Sequence, residues 1–504
     1  MRVPMGIIVK ILIVTLLTMF AYTFHIFFKD VYISVLKIHV TKKEMVKLES
    51  NIKSELLHET FPGNEKIDSK YDQAIAVYKE NGVEIKKMAD HEKSSLNGTE
   101  NFSLSKSFDI SKEQNPEARK YFARDMSVKG VDCMEIIRKN KNEIDRALRR
   151  SEILKRNKVS DLQYTEKTNN CAAFIADRGY ITNHLTEEEK NFPIAYSILM
   201  YKNVEQFERL LRAIYRPQNI YCIHVDSKSN SRLYQAVSGI ANCFDNVHLL
   251  QKRINVRWGY MSVLEPELLC MKELWKRSKT WKYFINLTGQ EFPLKTNYEL
   301  VQILKAYNGA NDVETTVKRF QGRCQNTKAG PPHGIQVAKG ALHIAVNRGF
   351  VDYSLHDKRA RDILAWMNVS CWIPDEVYFS TLNHNPHLGV PGSYKGHPET
   401  TRLPARKKPY LARFKNRVKS DTYSYPCHGK VVRGICIFGI GDVPMLSKRK
   451  ELFANKFHLD YQTFAYECME ELIFNRTRDE YLGTRVYNAN WYSKLGFVSK
   501  KIDL

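Results

Sequence analysis

The chain has 504 residues, of which 43% are hydrophobic and 11% aromatic, and its formal net charge is +23. This is the composition of a globular protein with a sizeable core. The basic residues are scattered instead of forming tracts, and no zinc-finger or RNA-recognition signature accompanies them. The excess charge therefore does not indicate nucleic-acid binding, and small anionic ligands are the better expectation.

An apolar, uncharged run occupies residues 11–28, between Lys10 and Lys29. It is just long enough to cross a bilayer as a helix. A cleaved signal peptide is the alternative, but no small-residue cleavage site closes the run. We therefore predict a cytoplasmic tail at 1–10 and a membrane anchor at 11–28.

The rest of the chain divides into three predicted parts. Residues 29–124 are charged, poor in aromatic residues and without sustained periodicity, so we interpret them as a stem. We expect a folded domain at 125–475. Residues 476–504 form a C-terminal tail whose aromatic residues are numerous enough to pack on that domain.

Cysteines and glycosylation signals indicate the compartment. All ten cysteines follow the anchor and none forms a C-x-x-C pair, so we expect disulfides in an oxidising lumen. N-x-S/T signals begin at Asn97, Asn101, Asn286, Asn368 and Asn475. Asn286 falls in an apparently buried strand, so we expect only the other four to carry glycans.

Short apolar runs alternate with amphipathic segments in the first half of the folded domain. The pattern predicts strands at 193–200, 219–226, 246–251 and 283–289, and helices at 205–217, 231–241 and 263–275. This alternation indicates an α/β fold with a mainly parallel sheet, buried on both faces. Ligands bind beyond the carboxyl ends of such strands. Asp226 ends the second strand, so it either contacts a ligand or caps a turn.

Several segments in the same order resemble a known family: FPIAYSILMYK, RLLRAIYRPQNIYCIHVDSKS, CFDNVHLL, WKYFINLTGQEFPLKTN, PDEVYFSTL, VRGICIFGIGD and LFANKFHLD. They are similar to the β-1,6-N-acetylglucosaminyltransferases that make core 2 and I branches, from about Cys133 to Glu470. The resemblance implies a GT-A-like fold and inverting transfer of GlcNAc from UDP-GlcNAc. The implied acceptor is galactose or GalNAc of an O-glycan or lactosamine chain, and the implied location is the Golgi membrane, with the catalytic domain in the lumen.

Donor binding is expected to proceed without a divalent metal or any other cofactor. The sequence contains no D-x-D motif, and the nearest pattern is at 312–314. Without a metal, cationic side chains must stabilise the departing UDP. The resemblance assigns this role to Arg433 and Lys456, whose alternative is to be ordinary surface cations. It also assigns Asp226 and Trp258 to the nucleotide.

The catalytic base of the family falls on Glu376. An inverting transferase needs a base to take the proton from the attacking hydroxyl. Pro374 suits the first turn of a helix, so Asp375 and Glu376 could instead simply complement the helix dipole. We interpret Glu376 as the base and Asp375 as structural.

Acceptor binding is implied for Glu314 and, through a looser alignment, for Arg319. The chain departs from the core 2 enzymes on this side. Thr288 replaces a cysteine, the segment 320–330 is shorter, and an aromatic pair is missing before Cys427. The sequence therefore predicts the class of donor but leaves the identity of the acceptor glycan open.

The resemblance also implies disulfide pairs. These are Cys133–Cys468, Cys171–Cys243, Cys222–Cys270 and Cys427–Cys436. Cys324 and Cys371 are left over and either form a fifth bridge or remain free thiols.

Two other functions remain as alternatives. The segment RWGYMSVLEPELL resembles the peptide O-xylosyltransferases, which suggests xylose transfer to serine. The altered acceptor segments would also suit a lumenal glycan-binding protein without catalysis. The segments FANKF and CIFGIGD argue against the first alternative, and retention of Glu376, Arg433 and Lys456 argues against the second.

Overall fold

The computed structural model describes residues 118, 121–153, 158–316, 323–324, 330–396, 410–418 and 425–503. All of these belong to one compact unit that extends from 108 to 504. No helix in this part of the chain is both long and apolar enough to cross a membrane. The predicted anchor at 11–28, almost all of the predicted stem, and Asn97, Asn101 and Arg319 lie outside the described residues.

The strands, in chain order, are β1 (Ile194–Met200), β2 (Ile220–Val225), β3 (Val247–Leu249), β4 (Tyr283–Thr288), β5 (Glu291–Pro293), β6 (Asp312–Thr316), β7 (Lys339–Asn347), β8 (Arg413–Lys415), β9 (Lys430–Val432), β10 (Ile435–Ile437) and β11 (Phe453–Asn455).

The helices are α1 (Cys133–Ile137), α2 (Lys141–Ile153), α3 (Asp161–Lys167), α4 (Cys171–Arg178), α5 (Glu187–Lys190), α6 (Val204–Ile214), α7 (Ser231–Asn242), α8 (Glu265–Arg277), α9 (Asn297–Tyr307), α10 (Arg348–His356), α11 (Lys358–Ser370), α12 (Tyr378–Asn383), α13 (Val443–Leu446), α14 (Thr463–Tyr481), α15 (Asn490–Ser493) and α16 (Gly496–Ser499).

The central sheet has the strand order β3-β2-β1-β4-β7-β6. Strands β1 to β4 are parallel, whereas β7 runs antiparallel to both β4 and β6. Every residue of β2 is buried, as expected for a strand covered on both faces. The predicted mixed α/β architecture with a mainly parallel sheet is confirmed.

Local signals explain why the crossover helices begin and end where they do. The side chains of Asn203 and Asn230 accept hydrogen bonds from backbone N–H groups in the first turns of α6 and α7. Thr296 and Glu299 form a reciprocal capping box at the start of α9. Helix α6 ends shortly before Pro217, which cannot continue a helix.

A second, smaller sheet has three strands in the order β5-β11-β8. Strand β11 pairs antiparallel with β5 and parallel with β8. Strands β9 and β10 form a separate antiparallel hairpin. These short elements carry cationic residues that the central sheet itself does not supply.

Cys324 and Cys371, which the sequence left either bridged or free, form a disulfide. Three of the four pairs implied by the resemblance are present: Cys133–Cys468, Cys171–Cys243 and Cys427–Cys436. The predicted pairing of Cys222 with Cys270 is not, and both cysteines are buried free thiols. Strand β2 and helix α8 bring the two thiols close enough to interact electrostatically. Burial raises the pKa of Cys270 well above its usual range, and a protonated thiol is a poor participant in disulfide chemistry.

The folded unit is larger than the predicted domain. At its N-terminal side, Arg124 donates hydrogen bonds to the carbonyl oxygens of Ala176 and Asp177. At the other side, α14 runs through the predicted boundary at 475. Beyond it, Phe497 packs edge-on against Tyr307 at 4.9 Å. The segment 476–503 therefore packs on the domain, as its aromatic content predicts, and does not form a separate tail.

The three glycosylation signals within the described residues differ in environment. Asn286 is fully buried in β4 and hydrogen-bonds to the carbonyl oxygen of Leu342, as expected for an unglycosylated position. Asn368 is exposed on α11. Asn475 is half-buried within α14, and the Thr477 hydroxyl of its signal donates back to the carbonyl of Ile473.

Candidate functional site

A cleft of about 730 Å³ opens at the carboxyl ends of the parallel strands. Its wall includes Lys202 after β1, Asp226 after β2 and Gly289 after β4. This is where an α/β sheet is expected to bind its ligand. Five of the predicted site residues line the same cleft, namely Asp226, Trp258, Glu376, Arg433 and Lys456.

One wall of the cleft is strongly cationic. Lys202, Lys415 and Arg417 line it together with the predicted Arg433 and Lys456. Burial lowers the pKa of Lys456, and repulsion from Lys202 and Arg433 lowers it further. Burial also lowers the pKa of Lys415 to about 8, with Arg417 adding to the effect. Like charges this close are costly unless an anion neutralises them, so the wall is suited to a polyanionic ligand.

A tight hairpin turn presents Arg433. Arg433 and Gly434 connect β9 to β10 with φ values of 51° and 75°. Two consecutive residues with positive φ are the requirement of the two-residue turn whose twist matches a β-hairpin. The Cys427–Cys436 bridge joins the segment before β9 to β10. The arginine is thus held at the tip of a covalently braced hairpin.

Asp226 forms a turn and also lines the cleft. Its Oδ1 accepts from the backbone N–H of Lys228 at 2.9 Å, which makes it a turn-forming residue. The Lys228 ammonium group also contacts both carboxylate oxygens, at 2.9 and 2.7 Å. Asp226 is buried and lines the cleft. Trp258 also lines the cleft and is 72% exposed, so its ring is accessible to a ligand.

Glu376 ends a single 3₁₀ turn formed by Pro374–Glu376. Its Oε2 lies 3.0 Å from the guanidinium of Arg323 and 3.0 Å from the ammonium of Lys339. No described residue forms a hydrogen bond or ion pair with Oε1. Within the described part of the chain, the carboxylate is therefore held through Oε2 alone.

The backbone before Glu376 is held in an unusual conformation. Ile373 has a φ of 60°, which is rare for a β-branched residue. Its N–H donates to the carbonyl of Gly259 at 2.9 Å, and the neighbouring Trp372 N–H donates to the carbonyl of Arg323. The Cys324–Cys371 bridge joins the same two segments. Contacts on both sides thus impose this strained backbone, which is typical of a functional site.

Asp375 also lines the cleft, but in a different environment. It is only 8% exposed, and its Oδ1 has no hydrogen-bond partner among the residues that the structure describes. Burial, together with repulsion from the adjacent Glu376, raises the pKa of its carboxyl group to about 6. Two neighbouring carboxyl groups with different environments can hold different protonation states, which suits different roles.

A buried network supports the floor of the cleft. Glu291 is fully buried and accepts from Asn455 Nδ2 at 2.8 Å, and one of its oxygens lies 3.1 Å from Arg413 Nε. The His343 ring lies 3.5 Å from the same carboxylate, and burial holds its pKa well below the usual range. A neutral histidine against an Arg–Glu pair is a structural arrangement. It fixes β8, which carries Lys415, and β11, which Lys456 directly follows.

Neither of the two predicted acceptor residues, Glu314 and Arg319, is found among the described residues that line the cleft. Glu314 lies at a β-bulge in β6 and is not among the residues that line the cleft. Its charge nevertheless reaches Lys415, whose pKa it raises. Arg319 lies outside the described residues, and the arginine that contacts Glu376 is Arg323.

Sequence reasoning missed Lys202, Arg323, Lys339, Lys415 and Arg417. A signal existed for Lys415 and Arg417, because RFKNR places Arg413, Lys415 and Arg417 at alternate positions. In an extended segment, alternate residues share a face. No such signal exists for Lys339 and Arg323, because neither belongs to a run of alternating basic residues.

Comparison with known proteins places the chain among enzymes of one kind. The profile of the Core-2/I-Branching enzyme family matches residues 194–446. A human β-1,3-galactosyl-O-glycosyl-glycoprotein β-1,6-N-acetylglucosaminyltransferase is 37% identical over 364 residues, covering 68% of this chain and 84% of that protein. The rat β-1,3-galactosyl-O-glycosyl-glycoprotein β-1,6-N-acetylglucosaminyltransferase 3 is 32% identical, covering 73% and 90%. A human N-acetyllactosaminide β-1,6-N-acetylglucosaminyl-transferase is 35% identical, covering 64% and 82%.

Proposed function

Because the chain belongs to the core-2/I-branching enzyme family, we propose that it transfers GlcNAc from UDP-GlcNAc in β-1,6 linkage to galactose or GalNAc of an O-glycan. Membership makes it a glycosyltransferase, with a sugar nucleotide as donor and a glycan as acceptor. The two human relatives are named for transfer to β-1,3-galactosyl-O-glycosyl-glycoproteins and to N-acetyllactosaminides. The mainly parallel sheet with its antiparallel edge supports a GT-A-like fold.

The cationic wall of the cleft carries this proposal. UDP gains negative charge as it leaves the sugar, and fixed cations stabilise such charge most effectively in a partly buried site. Arg433 grips phosphate oxygens with its planar fork, and Lys456 adds a point charge. Lys415 and Lys202 complete the positive wall. Since the sequence has no D-x-D motif, we assign charge stabilisation to these side chains and expect no divalent metal requirement.

Glu376 acts as the general base in this mechanism. Its Oε1 takes the proton from the 6-hydroxyl of the acceptor sugar, while that oxygen forms a bond to C1 of GlcNAc. The C1–O bond to the diphosphate breaks on the opposite face, its electron pair stays with UDP, and the anomeric centre inverts. Arg323 and Lys339 hold Oε2, which orients the base toward the acceptor side.

Membrane attachment is a separate part of the proposal. The uncharged run at 11–28 supports a helical anchor, with 1–10 in the cytoplasm and the domain in the Golgi lumen. Four disulfides in the described residues support an oxidising lumen. Protease treatment of sealed vesicles tests this, since a lumenal domain is degraded only after detergent is added. Degradation without detergent would place the domain in the cytosol.

Sugar transfer by the secreted domain 108–504 tests the activity. We would supply radiolabelled UDP-GlcNAc or UDP-xylose, with EDTA present, to core 1, core 3, lactosamine and serine-peptide acceptors. GlcNAc transfer in EDTA, lost in Glu376→Gln but not in Asp375→Asn, is the expected result. UDP binding by Glu376→Gln should persist, because the base does not hold the diphosphate.

Other outcomes would contradict the proposal in distinct ways. Transfer only of xylose to the serine peptide would make the chain a peptide O-xylosyltransferase. Binding of a glycan without any transfer would make it a lectin-like protein. Activity that requires added Mn²⁺ and disappears in EDTA would refute the metal-independent mechanism while leaving the donor unchanged.

A further inference from the structure

A patch of exposed aromatic side chains lies beside the cleft. Trp258, Tyr260 and Trp372 are 72%, 48% and 43% exposed, and we call these three residues the aromatic platform. Val369, which is 77% exposed, lines one surface cavity together with Tyr260 and Trp372. The platform thus contains two of the three exposed tryptophans among the described residues, the third being Trp491. Such a concentration of exposed aromatic area indicates a binding surface.

The platform is rigidly built. The Trp372 ring lies edge-on to Trp258 at 5.8 Å and to Tyr260 at 5.2 Å. Its indole covers Gly259, where an added Cβ would lie 2.5 Å from the ring and where φ is 87°. Only glycine permits both that conformation and that close approach. The three rings are therefore held in fixed mutual orientation before any ligand binds.

The platform is continuous with the catalytic cleft. A side cavity of about 460 Å³ is lined by Tyr260, Trp372 and Arg323. Arg323 also lines the main cleft, where its guanidinium contacts Glu376. Trp258 joins the two cavities from the other side, because it lines the main cleft and contacts Trp372. A ligand that reaches Glu376 past Arg323 therefore continues onto the aromatic rings.

Resting on the proposed transferase function, we propose that Tyr260 and Trp372 of the aromatic platform bind the part of the acceptor glycan that lies beyond the sugar whose 6-hydroxyl attacks the donor, while Trp258 faces the nucleotide. The apolar C–H face of a pyranose packs on an aromatic ring, and its hydroxyls need polar partners at the edge. Arg323 and Arg257 supply such partners, the latter lying 5.0 Å from the Tyr260 ring centroid.

Kinetics with acceptors of increasing length test this assignment. Trp372→Ala should raise the KM of a trisaccharide acceptor about tenfold. The KM of UDP-GlcNAc and of a single-sugar glycoside acceptor should stay unchanged. Trp372→Phe, which keeps a ring, should restore most of the loss. Trp491→Ala removes a tryptophan of matching exposure outside both cavities and should behave like the wild type.

The outcomes separate this inference from the proposed function. If the wild type transfers GlcNAc but Trp372→Ala and Tyr260→Ala leave the trisaccharide KM unchanged, the platform does not bind the acceptor. If the wild type transfers no GlcNAc, the proposed function fails first. Tyr260→Ala serves where Trp372→Ala lowers the melting temperature, since Tyr260 is half exposed.

Discussion

The ammonium group of Lys339 lies 3.0 Å from Oε2 of Glu376, so strand β7 supplies a cation that positions the proposed base. Lys339 is only 11% exposed, which makes this contact stronger than a surface ion pair. It connects the central sheet directly to the short turn at Pro374–Glu376. The position of the proposed base therefore depends on a residue that does not itself line the cleft.

Replacing Lys339 should impair turnover without impairing donor binding. Lys339→Met should lower kcat roughly tenfold, because the Glu376 carboxylate loses one of its two anchors. The KM for UDP-GlcNAc should stay within about twofold, and Lys339→Arg should recover most of kcat. Lys358→Met is a matched control, because it removes an exposed surface ion pair with Asp362. An equal rise in KM for the donor would instead place Lys339 in the UDP site.

The two predicted diphosphate contacts should act on donor affinity. Arg433→Ala and Lys456→Ala should each weaken UDP binding by roughly 10- to 100-fold, which corresponds to about 1.5–3 kcal/mol for a charge-assisted hydrogen bond. Titration calorimetry with UDP measures this directly. Lys430→Ala is the control, because Lys430 is an exposed cation on the same hairpin and does not line the cleft. A loss in Lys430→Ala as large as in Arg433→Ala would indicate a general charge effect.

Donor affinity should fall as the pH rises above neutrality. The pKa of Lys415 is lowered to about 8, so its protonated form is lost as the pH passes that value. UDP binds the protonated form, and its dissociation constant should therefore rise between pH 7 and 9. Lys415→Arg, which stays charged, should flatten part of this dependence, and the remainder is assigned to Lys456, whose pKa is also lowered. An identical pH profile in Lys415→Arg would exclude Lys415 from the donor site.

The buried carboxyl group of Glu267 predicts a pH-dependent stability. Ser197 and Asn286 hydrogen-bond to it, Glu291 and Arg413 act on it electrostatically, and burial raises its pKa to about 8. The folded state thus retains a proton that the unfolded state loses above about pH 4.5. Stability from this group is present below that pH and is lost as the pH rises toward 8.

Glu267→Gln should remove that loss. Relative to the wild type, the variant should gain about 3 kcal/mol in unfolding free energy between pH 5 and pH 8. Urea unfolding at both pH values measures the difference. Glu265→Gln, on the same helix but in an exposed pair with Lys252, should show almost no such pH-dependent gain. A constant difference at both pH values would mean that Glu267 is ionised in the folded protein.

The sequence was most informative where burial follows a simple pattern. The apolar runs at 193–200 and 219–226 became β1 and β2 because strands covered on both faces need apolar residues throughout. The prediction for Asp226 depended on the same pattern, because ligands bind at the carboxyl ends of parallel strands and Asp226 directly follows β2. Family resemblance placed Glu376, Arg433 and Lys456 at the same cleft.

Features created by tertiary contact could not be predicted in this way. The pairing of Glu376 with Arg323 and Lys339 joins three separate segments, and no local pattern encodes it. The thiols of Cys222 and Cys270 lie close together without a bond, a distinction that spacing along the chain cannot make. The aromatic platform could not be predicted either, because it depends on the contact of Trp372 with Gly259, which are far apart in the sequence.

The Cys133–Cys468 bridge joins helix α1 to helix α14 across 335 positions of the sequence. Nearly the whole catalytic unit is consequently a covalent ring, and the cleft lies within it. A single backbone cut anywhere between these cysteines opens the ring but releases no fragment. A protein nicked in this interval keeps its full mass on a non-reducing gel and separates into pieces only when the sulfur bonds are reduced.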